Sequence, residues 1–179
     1  MSTGARSRVS VALRGFSRQS AIPAEDVADA VRRLPMAHLE GLREIIYSPG
    51  EPLHYPSLGG SSPSAGRAEY VQTQRAIFIY TTDDVALFWH VLLHEIGHHV
   101  FFLRLDGALK KEWVSWLYPG SECATAYGYS SAAEDFAECY ALYAREPEAL
   151  GELPEKRDFM RQVFSGKPGS LRDRGAATR

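Results

Sequence analysis

The chain has 179 residues and 19.9 kDa, with 45% hydrophobic and 23% charged residues, a composition that suits one soluble globular domain and excludes disordered, collagen-like and disulfide-framework classes. The net charge of −2 hides a basic start (+4 over residues 1–20) and a basic end (+3 from Lys167 to Arg179), which leaves −9 on the body. An acidic body argues against nucleic-acid binding, and no apolar run is long and uncharged enough for a membrane span. The expectation is therefore a domain over residues 21–165, flanked by a basic tail at 1–20 leading into a first strand and a disordered basic tail at 166–179.

In chain order, alternating Val9, Val11 and Leu13 predict a strand over Arg8–Phe16. After Pro23, the acids Glu25 and Asp26 open a helix whose apolar residues are Val27, Ala30, Val31 and Leu34, and Pro35 ends it. A short helical segment at Met36–Leu42 leads to a strand at Arg43–Tyr47. The stretch Ser48–Arg67 holds four prolines, four glycines and five serines, a long loop of the kind that serves as a lid or binding loop. Two strands follow at Glu69–Gln72 and Arg75–Tyr80, the second rich in β-branched and aromatic residues. We expect Ala76–Tyr80 to be a sheet edge able to take an extended peptide by strand addition.

Thr82-Asp83-Asp84 caps the longest helix, Val85–Leu103, which is apolar on nearly every side and so central. A loop or short helix at Lys110–Tyr118, a helix from Ser131 to Arg145 and a last helix at Pro154–Phe164 complete the chain. Strands first and helices later predict an α+β fold, a small mixed or antiparallel sheet with helices on one face. Two cysteines, Cys123 and Cys139, are too few for a scaffold and read as thiols. The acid-free, Arg- and Ser-rich start shares composition with transit peptides but lacks a secretory core, so the location expected is cytoplasmic.

Inside the central helix stands His94-Glu95-Ile96-Gly97-His98, an HExxH motif. Residues four apart share a helix face, so both imidazoles can reach one ion while Glu95 lies beside its water. Zinc is the expected cofactor, because two imidazoles and a carboxylate form its usual catalytic ligand set with one position open. His90 continues the row one turn earlier, too far from His98 to share the ion, and His99 points away; both read as supporting or core residues. No histidine follows His99, so the third ligand is a carboxylate from among Glu112, Glu122, Glu134, Asp135 and Glu138. Glu134 is favoured, early in a helix able to pack on the motif helix, although Ser131-Ala132-Ala133-Glu134 is also a capping box. Glu138, one turn on, can orient a ligand histidine.

HEIGH, followed by Ala126-Tyr127-Gly128 and then Ala133-Glu134-Asp135-Phe136-Ala137-Glu138, resembles the lethal-factor-like zinc metalloendopeptidases, which include the catalytic domain of anthrax lethal factor and the Pro-Pro endopeptidases. The resemblance spans Pro35–Leu150, with a weaker match at Leu34–Leu39. It implies a gluzincin with His94, His98 and Glu134 on zinc, Glu95 as general base and Tyr127 as the hydroxyl that stabilises the transition state; proline near the cleaved bond is a further implication. Tyr129 is the rival for the hydroxyl role. The predicted activity is hydrolysis of peptide bonds in extended protein segments, with a protein or peptide substrate and neither nucleic acid nor membrane as partner. The alternatives are a non-enzymatic zinc-binding or degenerate-peptidase module and, more remotely, an amidase. Trp89, Trp113, Trp116, Tyr118 and Tyr80 are groove or core aromatics.

Overall fold

The computed structural model describes residues 10–50 and 67–166, so most of the Ser48–Arg67 loop, the first nine residues and the tail past Gly166 lie outside the described residues. The elements are β1 (Ala12–Arg14), α1 (Ala24–Arg32), α2 (Met36–Leu39), β2 (Glu44–Tyr47), β3 (Ala68–Val71), β4 (Ala76–Ile79), α3 (Val85–His99), α4 (Gly107–Glu112), α5 (Tyr118–Gly120), α6 (Ala132–Arg145) and α7 (Pro154–Ser165). The fold is α+β with a mixed four-stranded sheet in the order β1-β2-β4-β3; β1, β2 and β4 run parallel and β3 is antiparallel to β4.

Gly15 ends β1 earlier than the apolar alternation predicts. It sits at φ 77, where a Cβ would overlap the Tyr47 carbonyl, and Phe16–Arg18 then forms a 3-10 turn. Leu13, Ile45, Ile77 and Tyr70 are in register across the sheet, as are Tyr47, Ile79 and Ala68. These rows join Val27 and Val31 of α1 and Phe88, Leu92 and Ile96 of α3 in one core. Each fully buried aliphatic contributes roughly 1.5–3 kcal/mol relative to exposure.

The structure corrects the edge assignment. β4 is interior, bonded to β2 on one side and β3 on the other, and the edge beside it is β3. The reason is the turn Gln72–Gln74, closed by bonds from Gln74 N to Val71 O (3.1 Å) and Arg75 N to Gln72 O (3.2 Å), with Arg75 at φ 53. That turn folds β3 back onto β4 without the Asn-Gly or Asp-Gly signature of short hairpins.

Asp84 starts α3 by accepting from Leu87 N at 2.9 Å, and the helix runs on through a π-helical turn at Val100–Arg104. A second π-helical turn, Trp113–Leu117, links α4 to α5, so of the loop or short helix expected at Lys110–Tyr118 the helix is found. Ser131 caps α6 by accepting from Glu134 N at 3.2 Å. Helices α3 and α6 pack closely because Gly97 has no side chain: a Cβ there would stand 2.9 Å from Ala137 Cα and 3.1 Å from Tyr140 Cβ.

Gly97→Ala is therefore expected to cost about 1–3 kcal/mol through overpacking. Urea unfolding of the metal-free chain measures it, and unchanged stability would show that α6 can retreat from α3 freely.

Candidate metal centre

Helix periodicity places His90, His94 and His98 in one row along α3, and Glu134 and Glu138 share a face of α6. The helices run in opposite directions, so Glu134 meets His94 and His98 while Glu138 meets His90 and His94. Glu134 Oε2 lies 3.1 Å from His94 Nε2 and 3.2 Å from His98 Nε2. These are ion-pair distances, and the buried oxygen makes no hydrogen bond. An unsatisfied buried carboxylate oxygen is costly, unless its lone pairs and those of the imidazoles converge on a cation. Ligands at two corners of a zinc tetrahedron stand ~3.3 Å apart, so the three donor atoms fit that ion.

Glu134 thus uses its backbone for the cap and its carboxylate for the two imidazoles. In the metal-free chain the histidines hold its pKa down to about 2 even though burial pushes it upward. His94 is held up at about 10: burial lowers its pKa, and contacts with Glu134 and Glu138 more than offset that.

A second trio, His90, His94 and Glu138, also has its donor atoms within 4.8 Å of one another. Here the polar atoms are already paired, with His94 Nδ1 at 2.7 Å and His90 Nε2 at 3.2 Å from Glu138 Oε1. Glu138 therefore fixes the orientation of His94 and leaves Nε2 facing Glu134. His99 is elsewhere, fully buried, with Nδ1 2.9 Å from the Tyr70 hydroxyl and Nε2 3.1 Å from the Glu40 carbonyl; burial lowers its pKa to about 4.

Glu95 is 4% exposed. Burial raises its pKa, with His98 and His94 pulling the other way. Tyr127 opens a 3-10 turn, Tyr127–Ser130, and its ring centroid is 5.9 Å from that of His94. Burial and then the charges of Glu134, Glu95 and Glu138 push its hydroxyl to about 12, so it stays a protonated donor at neutral pH. Tyr129 is 60% exposed.

The remaining sequence candidates serve elsewhere. Asp135 is fully buried against Lys156, Oδ2 to Nζ 2.7 Å, and Lys156 also donates to the Glu122 carbonyl at 2.6 Å. Glu122 is exposed, and among the described residues neither it nor Glu112 belongs to a His/Glu group. Trp113 is core, its Nε1 donating to Ala132 O at 2.9 Å, and Tyr80 is buried with its hydroxyl on Glu69. Trp89 packs edge-on against Phe88, and Trp116 is 58% exposed. Cys123 and Cys139 are free thiols.

Three features of the site escaped the sequence reading. The Asp135–Lys156 pair ties the segment before Tyr127 to α6 and α7. Phe102, in the π-helical turn, stacks on His98 at 6.1 Å and 21°. A cleft of about 540 Å³ beside Tyr127 and Glu138 extends to Arg145; seven residues separate Glu138 from Arg145, so helical periodicity was the signal available for it. Comparison with protein-family profiles, curated proteins and solved structures gives no match to this chain. Among the described residues no helix is long and apolar enough to cross a membrane.

Glu138→Gln removes the charge that orients His94 and is expected to weaken zinc binding by about 10–100-fold. Competition with a chromophoric chelator reads this directly, and unchanged affinity would mean that Glu138 only fills the α3–α6 seam.

Proposed function

We propose that the chain is a zinc-dependent endopeptidase of the lethal-factor-like type, with a zincin-like arrangement of motif helix, edge strand and ligand helix. The observation that carries the reading is the buried Glu134 oxygen without a hydrogen-bond partner, set against two imidazoles with Glu95 beside them. His94, His98 and Glu134 would hold the ion. When bound, zinc supplies Lewis-acid polarisation of the scissile carbonyl and an acidified water.

Glu95 has no part in holding the ion, and its buried, basicity-raised carboxylate is suited to take a proton from water and pass it to the leaving amine. Tyr127 donates its hydroxyl to the oxygen on which charge develops, from a loop anchored through Asp135 and Lys156. The Glu138–His94 bond keeps the ligand tautomer fixed.

The peptide is assigned to β3. Tyr80 N donates to Arg67 O at 2.7 Å, so in the alternating antiparallel ladder Ala68 and Tyr70 direct their N–H groups away from β4. β3 packs against α3, the helix that carries Glu95, which brings the edge beside that carboxylate. An extended segment longer than about six residues collects main-chain bonds along such an edge, which favours internal cleavage over release of terminal residues.

Glu95→Gln is expected to keep zinc and lose ~10²–10⁴-fold in hydrolysis, and Tyr127→Phe to lose about 10²-fold in kcat with KM little changed. Mass-spectrometric profiling of a peptide library provides the assay. Release of terminal residues alone would replace this reading with an exopeptidase or amidase, and a loss in Tyr129→Phe with none in Tyr127→Phe would move the hydroxyl role.

A further inference from the structure

The cleft beside the metal centre has a polar end and a charged end. At the first, Tyr127 and Glu138 form the wall, the same Glu138 that orients His94. Between the ends the lining is Ala86, Leu87 and His90 from α3 and Thr125 and Ala126 from the opposing loop. At the far end stands Arg145 in the last turn of α6. Glu134, Glu138 and Arg145 are four and seven residues apart, so all three lie on one face of α6, and Arg145 is about two turns or ~10 Å of axial rise beyond Glu138. An extended arginine side chain spans part of that distance.

The charges in the cleft are unequally committed. Glu138 is engaged by His90 and His94, whereas Arg145 has no ion-pair or hydrogen-bond partner among the described residues. The volume of about 540 Å³ accommodates one large side chain with room around it. Arg145 is exposed at the rim of the cleft, and its guanidinium matches a carboxylate, which it can take by two parallel hydrogen bonds.

We propose that this cleft is a specificity pocket for an acidic residue next to the scissile bond, with Arg145 binding the side-chain carboxylate of glutamate or aspartate. The assignment rests on the endopeptidase reading and narrows its substrate class. It also runs against the overall acidity of the body, which by itself favours basic or neutral substrates: the local cation governs the residue in the pocket, and the long-range field governs the flanks.

The test compares near-isosteric pairs, Glu with Gln and Asp with Asn, at each position of a peptide library digested by the zinc-loaded protein. A charge-assisted bond of this kind predicts an acid-to-amide ratio of roughly tenfold or more at one position adjacent to the cleaved bond. In Arg145→Gln that ratio is expected to fall to near one, and in Arg145→Glu to invert toward Lys, with zinc stoichiometry retained in both. Ala86→Met, which fills the cleft from the facing wall, is expected to lower cleavage of Glu-containing peptides more than of their Ala counterparts. A ratio near one in the parent protein, or one unchanged in Arg145→Gln, overturns the assignment. Should the parent protein cleave nothing, the endopeptidase reading fails, and calorimetric binding of the same Glu and Gln peptides to the Glu95→Gln chain judges the pocket alone. Preferential binding of the Glu peptide that Arg145→Gln abolishes supports the pocket, and equal or absent binding of the pair overturns it.

Discussion

The site depends on how closely α6 lies against α3. With glycine at 97 the backbone of Ala137 can reach the motif helix, and at that separation one carboxylate from α6 meets two imidazoles from α3. A bulkier residue would push Glu134 and Glu138 outward together, because both project from the same face. The candidate ligand set, the orientation of His94 and the floor of the adjoining cleft thus share one packing constraint.

A second layer of support acts on the loop that carries Tyr127. Lys156 has no exposed surface, and it bonds Asp135 and the Glu122 carbonyl while Gly128 packs against Asp135. Removing one partner would leave a buried charge unpaired, so the pair works as a fastener between α6, α7 and the segment that presents Tyr127. The edge strand is joined to the motif helix through the Tyr70 hydroxyl on His99.

Much of this was legible because helix periodicity is a local property. The i, i+4 spacing of His94 and His98, the cap residues Asp84 and Ser131, and the stops at Pro35 and Pro147 follow from nearest-turn chemistry, and α1, α3, α6 and α7 lie where those signals put them. The favoured place of Glu134 among five carboxylates also came from its position early in a helix. What eluded the sequence is set by pairing between distant segments. The strongly β-prone Ala76–Ile79 reads as an edge only until the turn at Gln72–Gln74, with no glycine or asparagine to mark it, folds β3 onto it. The commitment of Asp135 to Lys156, twenty-one residues on, required the packing of α7, and of the two readings open for Trp113 and Tyr80, groove or core, burial selects core.

The central claim is that one ion is shared by His94, His98 and Glu134, and not by the neighbouring trio of His90, His94 and Glu138. Anomalous diffraction at the zinc edge from crystals of the zinc-reconstituted protein separates the two. The account predicts one strong peak about 2.0–2.2 Å from His94 Nε2, His98 Nε2 and a Glu134 oxygen. A peak on the Nδ1 side of His94 between His90 and Glu138, or no ordered peak in protein saturated with zinc, would contradict it.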